Sequence, residues 1–159
     1  MTANVEAIFI APEAGAPMRR VERVHAKRGF GLEGDRYCLD GKEKEGEHCQ
    51  VTLVGAHALR EAEESFDVNL SNGEHRRNLV IRGIDLEALN GKRFKLGEAV
   101  FEYTGQRPPC GYLESLTEPG MAKALVGKGG ICVQVLTSGW IEEEAALELL
   151  PSALVEGAE

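Results

Sequence analysis

Lys92-Arg-Phe-Lys-Leu-Gly-Glu-Ala-Val-Phe-Glu-Tyr-Thr-Gly-Gln-Arg-Pro-Pro-Cys-Gly-Tyr-Leu113 holds two short alternating runs around Gly97, followed by a loop stiffened by two prolines. Alternation of apolar with charged side chains is the period of a half-buried strand, so two strands meeting at Gly97 are expected. Pro108 and Pro109 fix φ and remove amide donors, so pairing should stop there and the chain should turn away. Cys110 then stands between Pro109 and Gly111, where burial brings no obvious benefit, whereas a packing cysteine usually sits within an apolar run. Cys110 is therefore the candidate reactive atom, against the plainer reading of a small loop residue without chemistry.

Outward from this stretch the pattern repeats. Asn4 to Ile10 alternates well enough for a first strand, and the proline- and glycine-containing run after it ends it. Arg19 to His25 gives a weaker second strand. His48 to Val54 is a strand with Cys49, Val51 and Leu53 on one face, which makes Cys49 a core thiol; Cys132, inside the apolar run after Gly130, is expected to pack in the same way. Ala56 to Phe66 reads as an amphipathic helix, with Leu59, Ala62 and Phe66 at helical spacing. Asn72-Gly73 signals a turn before a strand from about Asn78 to Arg82, and Gly83 to Gly91 holds one short helical turn. Leu116 to Val126 contains a further short helix, and a loose acidic tail follows Pro151. Short strands separated by glycine turns, with few helices, give a mainly β, barrel-like fold in one domain over residues 1–150, with the tail at 151–159.

Composition narrows the function classes. Hydrophobic residues at 43% and charged residues at 28% are those of an ordinary globular domain. A formal charge of −8 argues against a surface that gathers nucleic acid or anionic lipid. No apolar run approaches the roughly 18 residues of a membrane span. Four cysteines without C-x-x-C spacing, behind an N-terminus lacking a leader pattern, point to a cytoplasmic protein with reduced thiols.

Gly29-Phe-Gly-Leu-Glu-Gly34 matches G-x-G-x-x-G, but no apolar helical stripe follows to meet a pyrophosphate, so a dinucleotide loop is set aside. The glycines instead hold Asp35 and Arg36 in a shaped loop, either as an ion pair or in contact with a ligand. A zinc site from Cys38, His48 and Cys49 is disfavoured because neighbours on a strand face opposite ways. The basic group His75, Arg76 and Arg77 is either a solvated charge run or an anion holder facing Cys110.

Gly31-Leu-Glu-Gly-Asp-Arg36, Arg77-Asn-Leu-Val, Gly83-Ile-Asp-Leu, Gly91-Lys-Arg-Phe-Lys-Leu-Gly97 and Pro109-Cys110 occur in an order that resembles a MOSC domain, the C-terminal domain of molybdenum cofactor sulfurases. The resemblance covers roughly residues 5 to 142. It implies a β-barrel-like domain of the small stand-alone kind. Cys110 would then carry sulfur taken from a pyridoxal-phosphate-dependent cysteine desulfurase and hand it to an acceptor, or would ligate molybdenum if molybdenum cofactor binds. Pyridoxal phosphate would belong to the partner alone. Arg36, Arg77 and Arg107, with Asp35 and Asn78, would line the site, favour the thiolate and clamp a cofactor phosphate. The alternative is a non-catalytic module that binds an anion or a partner through the same arginines; a complete reductase of N-hydroxylated substrates fits a chain this short less well. Two departures stand out: Tyr37 replaces the histidine frequent after Gly-Asp-Arg, and Trp140-Ile-Glu-Glu-Glu-Ala reads as more helix-like, so that the last strand is expected to be altered or absent.

Overall fold

The computed structural model describes residues 3–39, 41, 49–107, 116–117 and 119–151. Strands β1 (Asn4–Ile10), β2 (Arg19–Val21), β3 (Arg23–Lys27) and β4 (Gly31–Leu32) come first, then a four-residue helix α1 (Arg36–Leu39). β5 (Val51–Gly55), α2 (Ala56–Ser65) and β6 (Leu79–Arg82) form a βαβ unit with β5 and β6 parallel. A 3-10 turn (Leu86–Leu89), β7 (Arg93–Leu96) and β8 (Ala99–Gln106) follow. Helix α3 (Met121–Ala124), β9 (Ile131–Thr137), β10 (Gly139–Glu142) and β11 (Leu147–Leu149) complete the described elements.

Eight strands make one mixed sheet in the order β11-β7-β8-β9-β5-β6-β1-β2, and β10-β3-β4 make a second. Strand pairing leaves the large sheet open. Its β11 edge nevertheless curls back to β1, where Val5 N donates to Ala145 O, Glu144 N to Val5 O and Leu147 N to Ala3 O. The mainly β, barrel-like architecture expected is thus present with an open seam.

Burial follows the period of each element. Val5, Ile8, Leu53, Ile81, Phe94, Phe101 and Val133 share the inner core, and Phe94 stacks on Phe101 at 5.7 Å between ring centroids. On the other face of the sheet, α2 buries Ala56, Leu59 and Ala62 against Phe9, Val54, Val80 and Met121. Gly55 ends β5 and opens α2 in extended conformation, so strand and helix join without a loop. No helix among the described residues is long and apolar enough to cross a membrane.

Three expectations are corrected. The segment from Trp140 forms strands, β10 on β3 and β11 on β7, with Glu144 turning the chain between them at φ 73°. Cross-strand partners outweigh the helical leaning of its glutamates and alanines. A short helix, α1, does follow the glycine loop, although four residues give no dipole of consequence. Finally, Cys49 and Cys132 are joined in a disulfide with their Cα atoms 4.9 Å apart. Gln50 N donates to Val133 O, which brings the residue before β5 against β9. Cys49 is half-buried rather than a core thiol, and among the described residues Cys38 retains its thiol. The bridge spans 83 residues of chain. Reducing it is expected to lower the unfolding free energy by about 2–4 kcal/mol, measured by urea denaturation with and without reductant; equal stabilities would show that the bridge does not form.

Candidate functional site

Asn78 enters β6 fully buried, and its side chain ties three strands together. Its Oδ1 accepts from Thr52 N and Thr52 Oγ1, both at 3.1 Å, and its Nδ2 donates to Phe9 O at 3.1 Å. Asn78 therefore fixes the start of β6 between β5 and β1. The residue before it, Arg77, is 5% exposed. Its Nε donates to Gly129 O at 2.7 Å and its Nη2 to Arg107 O at 3.2 Å. Arg107 N in turn donates to Gly130 O at 2.9 Å. Both backbone groups of Arg107 are thus held, at the point where residues 108–115 begin.

The run His75-Arg76-Arg77 is neither solvated nor a set of three cations. All three side chains are buried. Arg76 adopts a left-handed φ of 62° and donates to Ala16 O. His75 Nδ1 accepts from Arg77 N at 2.9 Å, which leaves the ring proton on Nε2, and Nε2 has no partner among the described residues. Burial, and then the neighbouring Arg77 guanidinium, lower the His75 pKa from 6.5 to about 3. Between those values the unfolded chain takes up a proton that the folded chain refuses. Stability is therefore full above the unfolded pKa and falls as pH drops toward the folded one, by up to about 1.4 kcal/mol per pH unit. His75→Asn, which keeps an acceptor for Arg77 N, is expected to remove that slope; paired urea denaturations at about pH 6 and pH 4 measure it.

Asp35 and Arg36 sit at the end of β1. Asp35 is fully buried; its Oδ1 accepts from Ala11 N at 3.0 Å and pairs with Arg36 Nη1 at 3.1 Å. Arg36 N donates to Ala11 O at 2.7 Å, and its Nη1 also reaches Met18 Sδ. Of the two readings of this pair, the ion pair is what the structure contains. The Gly-Asp-Arg loop and the Arg-Asn pair are thus gathered on one strand end, the first through Ala11 and the second through Phe9. Arg77 and Arg107 are in direct contact. Cys110, with Pro108 and Pro109, lies outside the described residues, as does His48.

A cavity of about 620 Å³ opens at the carboxyl ends of the parallel pair β5 and β6, the usual place for a ligand beside a βαβ unit. Ile81, Ile84, Leu86 and Ile131 give it apolar walls. Arg107 and Lys128 line it, as do Gly129 and Gly130 of the segment that Arg77 holds. The sequence reading took Gly129 and Gly130 only as the approach to β9 and passed over Lys128. The signal was available in Gly127-Lys-Gly-Gly130, a lone cation on a glycine-rich turn. No cluster of three or more His, Cys, Asp or Glu side chains able to hold a metal occurs among the described residues.

The family model for the MOSC domain matches residues 40–148. YuaD from Bacillus subtilis superposes with a TM-score of 0.76 at 19% identity, over 94% of this chain and 96% of that one. YiiM from Geobacillus stearothermophilus gives 0.74 at 18%, over 94% and 75% of the two chains. YiiM from Escherichia coli gives 0.64 at 22%, over 92% and 69%. At these identities the structural likeness shows the fold alone. No curated protein matches the chain in sequence. The family match extends over more than half of the chain, from before β5 into β11, and on that ground the chain belongs to the MOSC domain family.

Proposed function

We propose that this MOSC domain carries sulfur on Cys110, or binds molybdenum cofactor through it, beside the cavity. The supporting observation is Arg107, which lines the cavity and is also the anchored stem from which the cysteine loop departs. Cys110 lies three residues beyond that stem in sequence.

In sulfur carriage the Cys110 thiolate attacks the terminal sulfur of a persulfide on a pyridoxal-phosphate-dependent desulfurase. The donor S–S bond breaks, the donor cysteine leaves as thiolate, and a new S–S bond forms on Cys110. An acceptor nucleophile removes that terminal sulfur in the same way. One sulfane sulfur is passed on, so no outside oxidant or reductant is required. Arg77 takes part by position, since its guanidinium bonds the backbone of Gly129 and Arg107. When bound, molybdenum cofactor would supply the redox chemistry of its metal. Arg107 and Lys128, which line the cavity, would then face its phosphate, and Cys110 would ligate the metal.

The test is incubation with a desulfurase and free cysteine, followed by peptide-resolved mass spectrometry. One added sulfur on the Cys110 peptide is expected, together with its disappearance when an acceptor thiol is supplied. Sulfur on the Cys38 peptide alone, combined with molybdenum-free protein that takes up no cofactor, contradicts both forms of the proposal.

A further inference from the structure

We propose that the Cys49–Cys132 bridge is a thiol-exchange site, opened by a dithiol reductant that attacks the Cys49 sulfur, and that its opening is felt at the end of β8. Cys49 lies outside the line of β5. Pairing sets Cys132 opposite Thr52 and Val133 opposite Val51, yet the Cα atoms of Cys49 and Cys132 are 4.9 Å apart. The chain therefore bends at Gln50 and carries Cys49 across β9. Ile131, Val133 and Val135 belong to the inner core, so Cys132 and the bridge lie on the opposite face of that strand. The two residues differ in access. Cys132 is 0% exposed, whereas Cys49 is half-buried, so a thiol from solution reaches the bridge through Cys49.

The attacking thiolate forms a new S–S bond to Cys49 Sγ, the bond between the two cysteine sulfurs breaks, and Cys132 departs as a thiolate that takes up a proton. With a monothiol that departure is unfavourable. Cys132 is dry, and the Thr52 hydroxyl opposite it is already committed, donating to Asn78 Oδ1 and accepting from Asn78 N. The displaced sulfur stays beside Cys49 and attacks back, restoring the bridge. A dithiol escapes this return: its second thiolate displaces Cys49 from the mixed disulfide, the reagent is oxidised to its own disulfide, and the protein gains two thiols. β5 keeps its place when the bridge opens. Gln50 N donates to Val133 O, Gln50 Oε1 accepts from Val135 N at 2.9 Å, and the β5–β9 ladder runs on from there. The change is therefore local. On its other side Cys132 faces Gly105, where β8 shifts register after Tyr103, and the next pair sets Gln106 against Ile131. Arg107, the stem of the cysteine loop and part of the cavity wall, follows directly.

The experiment uses the full chain with Cys110→Ser, so that the loop thiol takes no part. Dithiothreitol and glutathione are compared at equal thiolate concentration, and the freed cysteines are alkylated and read peptide by peptide. Dithiothreitol is expected to open the bridge about tenfold faster or more. In the same background Cys132→Ser leaves Cys49 without its partner, and Cys49→Ser does the same for Cys132. Given glutathione disulfide, the Cys49 peptide is expected to take up glutathione about tenfold faster than the Cys132 peptide. 1H–15N spectra before and after dithiothreitol are expected to show shifted amides at Gly105–Arg107 and Ile131–Val133, with the rest of the sheet dispersed as before. The reagent comparison is made on the bridged chain and holds even where loss of one bridge cysteine unfolds the protein. Equal opening by the two reagents, equal modification of Cys49 and Cys132 in folded protein, unmoved amides at the end of β8, or alkylation of Cys49 and Cys132 before any reductant is added would each overturn the proposal.

Discussion

Cys110→Ser is expected to lose persulfide formation and sulfur transfer completely while keeping wild-type stability. The chemistry needs an ionised nucleophile that can form and release an S–S bond. A serine hydroxyl is not ionised near neutrality and holds no sulfane sulfur. In sequence the position stands between Pro109 and Gly111, outside any apolar run, so the unfolding free energy should stay within about 0.5 kcal/mol of wild type. Persulfide transfer from a desulfurase, together with urea denaturation of both proteins, measures the two halves. Transfer retained by the serine variant would remove the thiol from the mechanism. Cavity binding that survives in Cys110→Ala while transfer is undetectable in wild type would instead mark a pure binding module.

A second large effect is structural and lies at Gly130. A Cβ built there would fall 1.9 Å from Leu53 O, at a φ of +93°. The left-handed backbone costs a side chain about 1–3 kcal/mol, and the overlap with the middle of β5 adds about 1–3 kcal/mol more. Gly130→Ala is therefore expected to destabilise by about 2–6 kcal/mol. It should also disturb the cavity, since Gly130 O accepts from Arg107 N and Lys128 stands two residues earlier. Gly127→Ala is the control, because its φ of +72° brings the backbone cost while nothing lies within 4 Å of its Cβ. Equal losses at both glycines in urea denaturation would show that the close approach to Leu53 carries no weight.

Periodic segments were legible from sequence because their burial is decided locally. Asn4–Ile10, Ala56–Ser65 and the pair Arg93–Leu96 and Ala99–Gln106 all form where alternation or helical spacing places them. The glutamates after Ile141 were misleading because their conformation is imposed by β3 and by Leu96, far away in sequence. The same holds for Cys49 and Cys132, whose pairing depends on β5 lying against β9. Among the site residues, Asp35 and Arg36 form the ion pair that was one of the two readings of their loop. His75 to Arg77 was read as either a solvated run or an anion holder, and its burial was not foreseen because the carbonyls that receive the arginines come from Ala16, Arg107 and Gly129. A charge is identified as buried only when its distant partners are known. Lys128 stands on a glycine-rich turn that sequence marks only as a turn, because the cavity it lines is completed by Gly55, Ile81 and Ile84, far away in sequence.

The measurement that bears most directly on the central claim is the alkylation rate of each cysteine as a function of pH, read peptide by peptide on the folded protein with the unfolded chain as reference. The account predicts that Cys110 reacts faster than Cys38 and that its rate titrates well below the ordinary thiol value of about 8.5. A Cys110 that titrates as it does in the unfolded chain, or reacts no faster than Cys38, would contradict it.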